Sequence, residues 1–175
     1  MQCCDHGLST RRRVIEVMLG AGAVTVASTL TGSAALAAGQ VDALLLTCMD
    51  YRLENETVAW MDGRGLRDKY DHVVLAGASL GALTPHRPDW GRTFWQHLDV
   101  AIQLHHVHKV IVLDHRDCGA YRVFLGADAV KTPEAEYAVH ARHLMRLREL
   151  IARKHPKLEV ELDLMALDGS VQAIA

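Results

Sequence analysis

The sequence has no long run of basic residues and no large excess of charge of either sign. Its 175 residues carry a formal net charge of −2, and the pI is about 6.6. Because domains that bind nucleic acid present a basic surface and a high pI, this balance excludes nucleic acid as an expected partner. Proline is scarce, with 4 residues, whereas 50% of the residues are hydrophobic. Such a chain is neither disordered nor fibrous and suits one globular domain.

The sequence also has no uninterrupted apolar stretch long enough for a membrane-spanning helix. Its most apolar region, residues 17–30, contains Gly, Ser or Thr at five positions, whereas a spanning helix needs ~20 predominantly apolar residues. Residues 11–13 are arginines and residues 35–37 are Ala-Leu-Ala, which is the order of basic region, apolar region and cleavage site in an export signal. We predict a twin-arginine-type signal over residues 1–37 and a domain over residues 38–175. The alternative is an amphipathic terminal helix that packs on the domain.

This prediction places the mature protein in the periplasm or otherwise outside the cytoplasm, with no membrane span after processing. It also leaves few cysteines. Two of the 4 cysteines, Cys3 and Cys4, lie in the predicted signal, so that Cys48 and Cys118 remain. A disulfide framework is therefore not the expected use of cysteine here. Thiolates that bind a metal can be loaded in the reducing cytoplasm before a folded protein is exported.

Apolar runs that end in polar clusters predict an α/β fold with a mostly parallel central sheet flanked by helices. Residues 110–113 form such a run, and so do residues 41–47 and 73–76. Continuous apolar runs are typical of strands that are buried on both faces. Strict alternation over residues 158–164 predicts an edge strand with one solvated face.

Helical periodicity and capping signals predict the helices. The predicted helices cover residues 53–62, 94–104 and 133–154, the last with Thr132 as its N-cap. Three other segments are predicted to be irregular because they are rich in small residues or proline. They are residues 77–81, residues 84–91 and the stretch that follows Cys118.

The candidate metal ligands follow two of the predicted strands. Cys48 comes directly after the first strand, and His115 and Cys118 follow the strand at residues 110–113. Because the carboxyl ends of parallel strands meet at the same edge of a sheet, we expect these three side chains to lie together. Two thiolates and one imidazole suit Zn²⁺ and leave a fourth tetrahedral position open, which is typical of catalytic zinc. Water in that position would be strongly acidified.

Asp50 and Arg52 follow Cys48 at two and four residues, so in an extended segment they project to the same side as the cysteine. A carboxylate placed there can accept a hydrogen bond from zinc-bound water, and Arg52 can hold that carboxylate ionised and oriented. The alternative is a surface salt bridge beside a buried cysteine.

These motifs resemble the signatures of a known family. Cys48-Met49-Asp50-Tyr51-Arg52 and His115-Arg116-Asp117-Cys118-Gly119 are similar to the Cys-x-Asp-x-Arg and His-x-x-Cys-Gly signatures of the β-class carbonic anhydrases. The resemblance extends over residues 41–170. It implies one zinc per chain on Cys48, His115 and Cys118, with Asp50 and Arg52 as a catalytic pair. It further implies reversible hydration of CO₂ to bicarbonate and a proton by zinc-bound hydroxide, in a homodimer or a higher even-numbered oligomer.

One departure from the family pattern concerns the pocket wall. Where the family commonly carries Arg-Asn-Ala-Gly after the second strand, this chain has small and apolar residues at positions 75–79. A relative that hydrolyses CS₂ or COS with the same zinc hydroxide is therefore an alternative. A third possibility is a zinc-binding relative without activity, against which the intact Asp50 and Arg52 argue.

Histidine is abundant, with 11 residues. We predict that His105, His106 and His108 serve the end of a helix rather than a second metal. We predict that His140 and His143 lie on a solvated helix face. A histidine is the expected proton shuttle, although the sequence does not identify it. Trp90 is expected at the mouth of the pocket.

Overall fold

The computed structural model describes residues 39–175, and the predicted export signal lies outside this range. A five-stranded sheet has the order β2-β1-β3-β4-β5, with parallel pairing between the first four strands and antiparallel pairing between β4 and β5. The strands are β1 (Ala43–Thr47), β2 (Tyr70–Val74), β3 (Lys109–His115), β4 (Glu159–Met165) and β5 (Val171–Ala173). The helices are α1 (Glu54–Gly63), α2 (Ser79–Leu83), α3 (Pro88–His105), α4 (Gly119–Leu125) and α5 (Pro133–Lys154).

Helices cover both faces of the sheet. On one face, Leu44 and Leu46 of β1 join a buried cluster with side chains of α3 and α5. On the other face, Leu45 packs with Met61 of α1. Strand β1 is buried at every position, which explains its continuous apolar sequence. The predicted fold class is thus confirmed.

Helix α5 follows its predicted bounds because its capping signals are local. Thr132 Oγ1 accepts a hydrogen bond from the Ala135 N–H at 3.2 Å, and Pro133 occupies the first turn, where a missing N–H costs nothing. Among the helices of residues 39–175, none has the combined length and apolar character that crossing a membrane requires.

The prediction that residues 158–164 form an edge strand is wrong. Strand β4 lies between β3 and β5, and the three-residue strand β5 occupies the edge instead. On β4, the charge of Glu161 is balanced by a residue from a distant part of the chain. Glu161 forms a salt bridge at 2.6 Å with Arg64, which directly follows α1.

The three segments predicted to be irregular all contain helix. Helix α2 begins within residues 77–81, helix α3 begins at Pro88, and helix α4 follows Cys118 directly. Pro88 occupies the first turn of α3, where proline is favoured because its missing N–H is not needed. Helix α2 depends on a tertiary contact, since the N–H of Ser79 at its start donates to the buried Asp114 carboxylate at 2.9 Å.

Candidate metal centre

The three predicted ligands lie together at the carboxyl edge of the sheet. Cys48 follows β1, His115 ends β3, and Cys118 precedes α4. Because β1 and β3 are parallel neighbours, one donor atom from each of the three side chains lies within 4.8 Å of the other two. The two sulfur atoms are 3.9 Å apart. These three side chains can therefore hold a metal ion.

The orientation of His115 fits a metal ligand. Its Nδ1–H donates to the Arg116 carbonyl oxygen at 2.8 Å, which leaves the lone pair of Nε2 free. Nε2 is buried and has no hydrogen-bond partner among the residues that the structure describes. A buried nitrogen in this condition is unfavourable unless another group satisfies it. Together with two sulfur donors, it fits a tetrahedral site for Zn²⁺ with three ligands from the chain.

The two thiols differ in their acidity. Cys118 donates a hydrogen bond to the Cys48 sulfur, and this contact lowers the pKa of Cys48, whereas burial acts to raise it. Contacts with His115 and with the Gly77 N–H, which lies 3.2 Å from the sulfur, lower the pKa further. The hydrogen bond to Cys48, together with burial, raises the pKa of Cys118. Burial works to lower the pKa of His115, but the Cys48 thiolate outweighs it and raises that pKa. The site thus presents one thiolate and one thiol that must release its proton when a metal binds.

Asp50 and Arg52 form a two-point ion pair beside these donors. Arg52 Nε donates to Asp50 Oδ1 at 2.9 Å, and Nη2 donates to Oδ2 at 2.8 Å. The Arg52 backbone N–H also donates to Asp50 Oδ1, which caps a 3₁₀ turn at Tyr51–Leu53. These hydrogen bonds lower the pKa of Asp50 to about 2. Asp50 Oδ2 lies 3.8 Å from His115 Nε2, so the pair adjoins the donor set rather than standing apart on the surface.

A cleft of about 570 Å³ opens in front of the site. Its lining includes Met49, Asp50, Arg52, Ala76, Ala120 and Phe124. Trp90, which was predicted at the mouth, is not one of the lining residues and packs edge to face against Phe124 with a centroid distance of 5.8 Å. Ala76 belongs to the small apolar segment at residues 75–79, so this departure from the family pattern does affect the cleft wall.

A buried polar network around Asp114 was not predicted. The Asp114 carboxylate accepts hydrogen bonds from the Ser79 N–H and hydroxyl, from the Tyr121 hydroxyl at 2.7 Å and from His140 Nδ1 at 2.8 Å. Burial acts to raise the pKa of Asp114. The contact with His140 and the hydrogen bonds from Tyr121 and Ser79 together outweigh burial, so the pKa is lowered. An acidic residue at the end of an apolar strand was the available sequence signal.

This network corrects the prediction for His140. The side chain is completely buried rather than solvated, because α5 turns this position toward Asp114 on β3. His143, one turn along, is partly buried and contacts the Val139 carbonyl oxygen through Nδ1 at 2.8 Å. At the opposite end of the sheet, His105 pairs with Asp71 at 2.7 Å, and His106 ends α3 in a left-handed conformation.

The network also supports the metal site through α2. Gly77 precedes this helix with φ +79°, and a Cβ there would lie 3.1 Å from the Ala120 Cβ. Glycine is therefore the residue that permits the close approach of this backbone. Because Asp114 binds Ser79 two residues later, it fixes the turn whose Gly77 N–H reaches the Cys48 sulfur.

The fold defines the class of protein: an α/β domain like that of the β-carbonic anhydrases, here with a Cys-His-Cys group that could bind a metal. The structure is similar to that of β-carbonic anhydrase isoform I from Trichomonas vaginalis, with a TM-score of 0.54 and 20% identity over 78% of this chain and 84% of that chain. It is also similar to the β-carbonic anhydrase CafD of Aspergillus fumigatus, with a TM-score of 0.51 and 12% identity over 77% of this chain and 90% of that chain. At these identities the likeness concerns the fold.

Sequence comparison identifies the family. The model of the family described as "Putative carbonic anhydrase" matches residues 39–171, and the chain belongs to this family. An uncharacterized protein of Rickettsia conorii is 39% identical over 135 residues, which cover 77% of this chain and 73% of that protein. An uncharacterized protein of Rickettsia bellii is 37% identical over 135 residues, covering 77% and 82%. The predicted resemblance is confirmed at the level of family and fold.

Proposed function

We propose that this protein catalyses the reversible hydration of CO₂ to bicarbonate and a proton, with one zinc ion held by Cys48, His115 and Cys118. The observation that carries the proposal is the juxtaposition of two features. A three-donor set adjoins a carboxylate, Asp50, that a two-point contact with Arg52 keeps ionised, and Cys48 and Asp50 line one cleft. A purely structural zinc site has no need of such a carboxylate.

When bound, zinc would supply a Lewis acid that lowers the pKa of a water molecule at its fourth position. The protein's part is to position that water. Asp50 Oδ2 is placed to accept a hydrogen bond from such a water, which would direct an oxygen lone pair toward the carbon of CO₂. Asp50 can only accept in this role, because Arg52 holds its pKa far below neutrality.

The cleft wall supports a small, uncharged substrate. Ala76, Ala120 and Phe124 present apolar surface to the site, and CO₂ is a linear molecule without a hydrogen-bonding proton. The same wall supports CS₂ or COS as the second candidate substrate, because residues 75–79 replace a polar segment that is common in the family. The chemistry of attack on carbon is shared, so the assay must distinguish the substrates.

We propose further that the protein acts as a homodimer or a higher even-numbered oligomer. Apolar side chains surround the cleft, with Met49 66%, Tyr51 82% and Val123 77% exposed in the single chain. Exposed apolar groups gathered at one place mark an association surface. An exported location, which follows from the predicted signal at residues 1–37, remains part of this proposal.

The test is a stopped-flow CO₂ hydration assay, with zinc content measured on the same sample. We expect about one zinc per chain and hydration that is lost in Cys48→Ser. Asp128→Asn is the control, since this side chain is 96% exposed and belongs neither to the donor set nor to the cleft lining. Zinc at that stoichiometry without hydration would favour CS₂ or COS, assayed by sulfide release. A chain that binds no zinc would refute the proposal.

A further inference from the structure

Asp117 occupies a central place in the hydrogen bonding beside the metal centre. It lies between His115 and Cys118, and its carboxylate Oδ2 accepts a hydrogen bond from Arg52 Nη1 at 2.9 Å. Its backbone carbonyl accepts a second hydrogen bond from Arg52 Nη2 at 3.1 Å. Asp117 and Arg52, which are 65 residues apart in the chain, are therefore joined by two hydrogen bonds. The Arg52 guanidinium contacts Asp50 as well.

The backbone of Asp117 has an uncommon conformation that brings both acceptors to Arg52. Its φ is +55°, in the left-handed region that Asp and Asn enter more readily than most residues. Glu136 of α5 supports this conformation, since its Oε1 accepts a hydrogen bond from the Asp117 N–H at 2.5 Å. The Glu136 side chain is only 12% exposed. The turn between His115 and Cys118 is thus anchored to helix α5.

The guanidinium of Arg52 needs such an anchor. An arginine side chain has several rotatable bonds, and the Arg52 side chain is 33% exposed to solvent. Contact with Asp50 alone fixes one edge of the planar group, whereas contacts with Asp117 fix the Nη1 end as well. A planar group held along two edges cannot rotate, and its Nε and Nη2 hydrogens stay directed at Asp50.

We infer that Asp117 is a positioning residue for the reaction proposed above: it fixes Arg52, and through Arg52 it holds Asp50 in the orientation that receives the attacking water. The inference rests on the proposed function. It makes Asp50, Arg52 and Asp117 a triad, in which Asp117 acts on Asp50 through Arg52. Arg122, which donates to Asp117 Oδ1 at 2.9 Å, balances the second carboxylate oxygen.

The first test is a double-mutant cycle in the full-length protein. Asp117→Asn keeps the shape and the left-handed preference but removes the charge, and we expect kcat to fall about 10- to 100-fold, as for other residues that orient a metal site. KM should change less than kcat, because Asp117 acts on the orientation of Asp50 through Arg52. In an Arg52→Gln background the same substitution should lower kcat less than about twofold, because the guanidinium that Asp117 positions is absent. Asp128→Asn should leave kcat and KM unchanged.

A second variant separates the carboxylate from the backbone turn. Asp117→Gly tolerates φ +55° without strain, so the turn and the thermal unfolding midpoint should be retained while kcat falls as in Asp117→Asn. A fully active Asp117→Gly protein would show that the residue serves only the turn. The inference would equally be overturned if Asp117→Asn lowered kcat by the same factor in the Arg52→Gln background as in the unsubstituted protein.

A readout that does not depend on activity completes the test. The Nε–H of Arg52, assigned in ¹⁵N NMR spectra by its loss in Arg52→Gln, should exchange with solvent faster in Asp117→Asn than in the unsubstituted protein. This measurement is made on both the metal-free and the zinc-loaded protein. If the protein fails to hydrate CO₂, the proposed function is wrong, and the exchange rate still decides whether Asp117 fixes Arg52. Unchanged exchange would refute the positioning role.

Discussion

Removal of the Asp114 carboxylate is expected to be among the more costly single changes to the domain. Asp114 is 1% exposed and satisfies donors from three other buried residues, Ser79, Tyr121 and His140. Each buried donor left without an acceptor costs about 1–3 kcal/mol, and Asp114 accepts from donors on all three of these residues. We therefore expect Asp114→Ala to lower the free energy of unfolding by about 3–5 kcal/mol, a large part of the ~5–15 kcal/mol typical of a domain.

Urea unfolding followed by circular dichroism measures this loss. The protein should be metal-free and reduced, because a bound metal would add its own binding energy to the folded state. Asp163 of β4 provides a matched control, since it is 4% exposed, but within residues 39–175 its Oδ2 has no hydrogen-bond partner. We expect Asp114→Asn to be destabilising at pH 7 and Asp163→Asn not to be destabilising, because Asn removes a buried carboxylate whose ionisation burial opposes. A loss below about 1 kcal/mol for Asp114→Ala, or equal losses for the two Asn variants, would refute the reasoning.

Three further outcomes follow from the site and from β4. Cys48→Ser should reduce bound zinc well below one per chain, measured by atomic emission, because one of three donors is lost. Asp50→Ala should retain zinc but lower kcat about 10²-fold or more, and undiminished turnover would remove Asp50 from the mechanism. Burial, with the charge of Glu161, raises the pKa of Asp163 to about 7, so the folded state binds its proton more tightly than the unfolded chain. The stability contributed by Asp163 should therefore fall as pH rises from about 4 to 7, so Asp163→Asn should gain stability relative to the unsubstituted protein across that range in urea unfolding series.

The parts of the site that were predictable are those carried by short spacings and by strand order. Cys48 and Cys118 lie 70 residues apart in the chain, yet both follow apolar runs, and parallel pairing of β1 with β3 brings the ends of such runs together. The Asp50–Arg52 pair is closer still to a local property. Its members are two residues apart, and the 3₁₀ turn that Asp50 caps brings the guanidinium back onto the carboxylate.

The errors arose where a contact between distant segments overrode a local pattern. Residues 158–164 alternate as a solvated strand does, but three residues of β5 pair beside them and take the edge. His140 lies among charged residues in the sequence, but the rotation of α5 on the sheet directs it at Asp114, 26 residues away. Neither the pairing of β5 nor the rotation of α5 leaves a signal in the local sequence.

The sequence by itself therefore determined the fold class, the donor set Cys48, His115 and Cys118, and the neighbouring ion pair, because each depends on apolar periodicity or on a spacing of a few residues. Only the tertiary structure decided what surrounds them. The Gly77 N–H on the Cys48 sulfur, the Ser79 N–H on the Asp114 carboxylate and the two contacts of Asp117 with Arg52 join residues that are 29 to 65 positions apart. Such contacts depend on how helices pack and turn on the sheet, and that packing is a property of the whole folded domain.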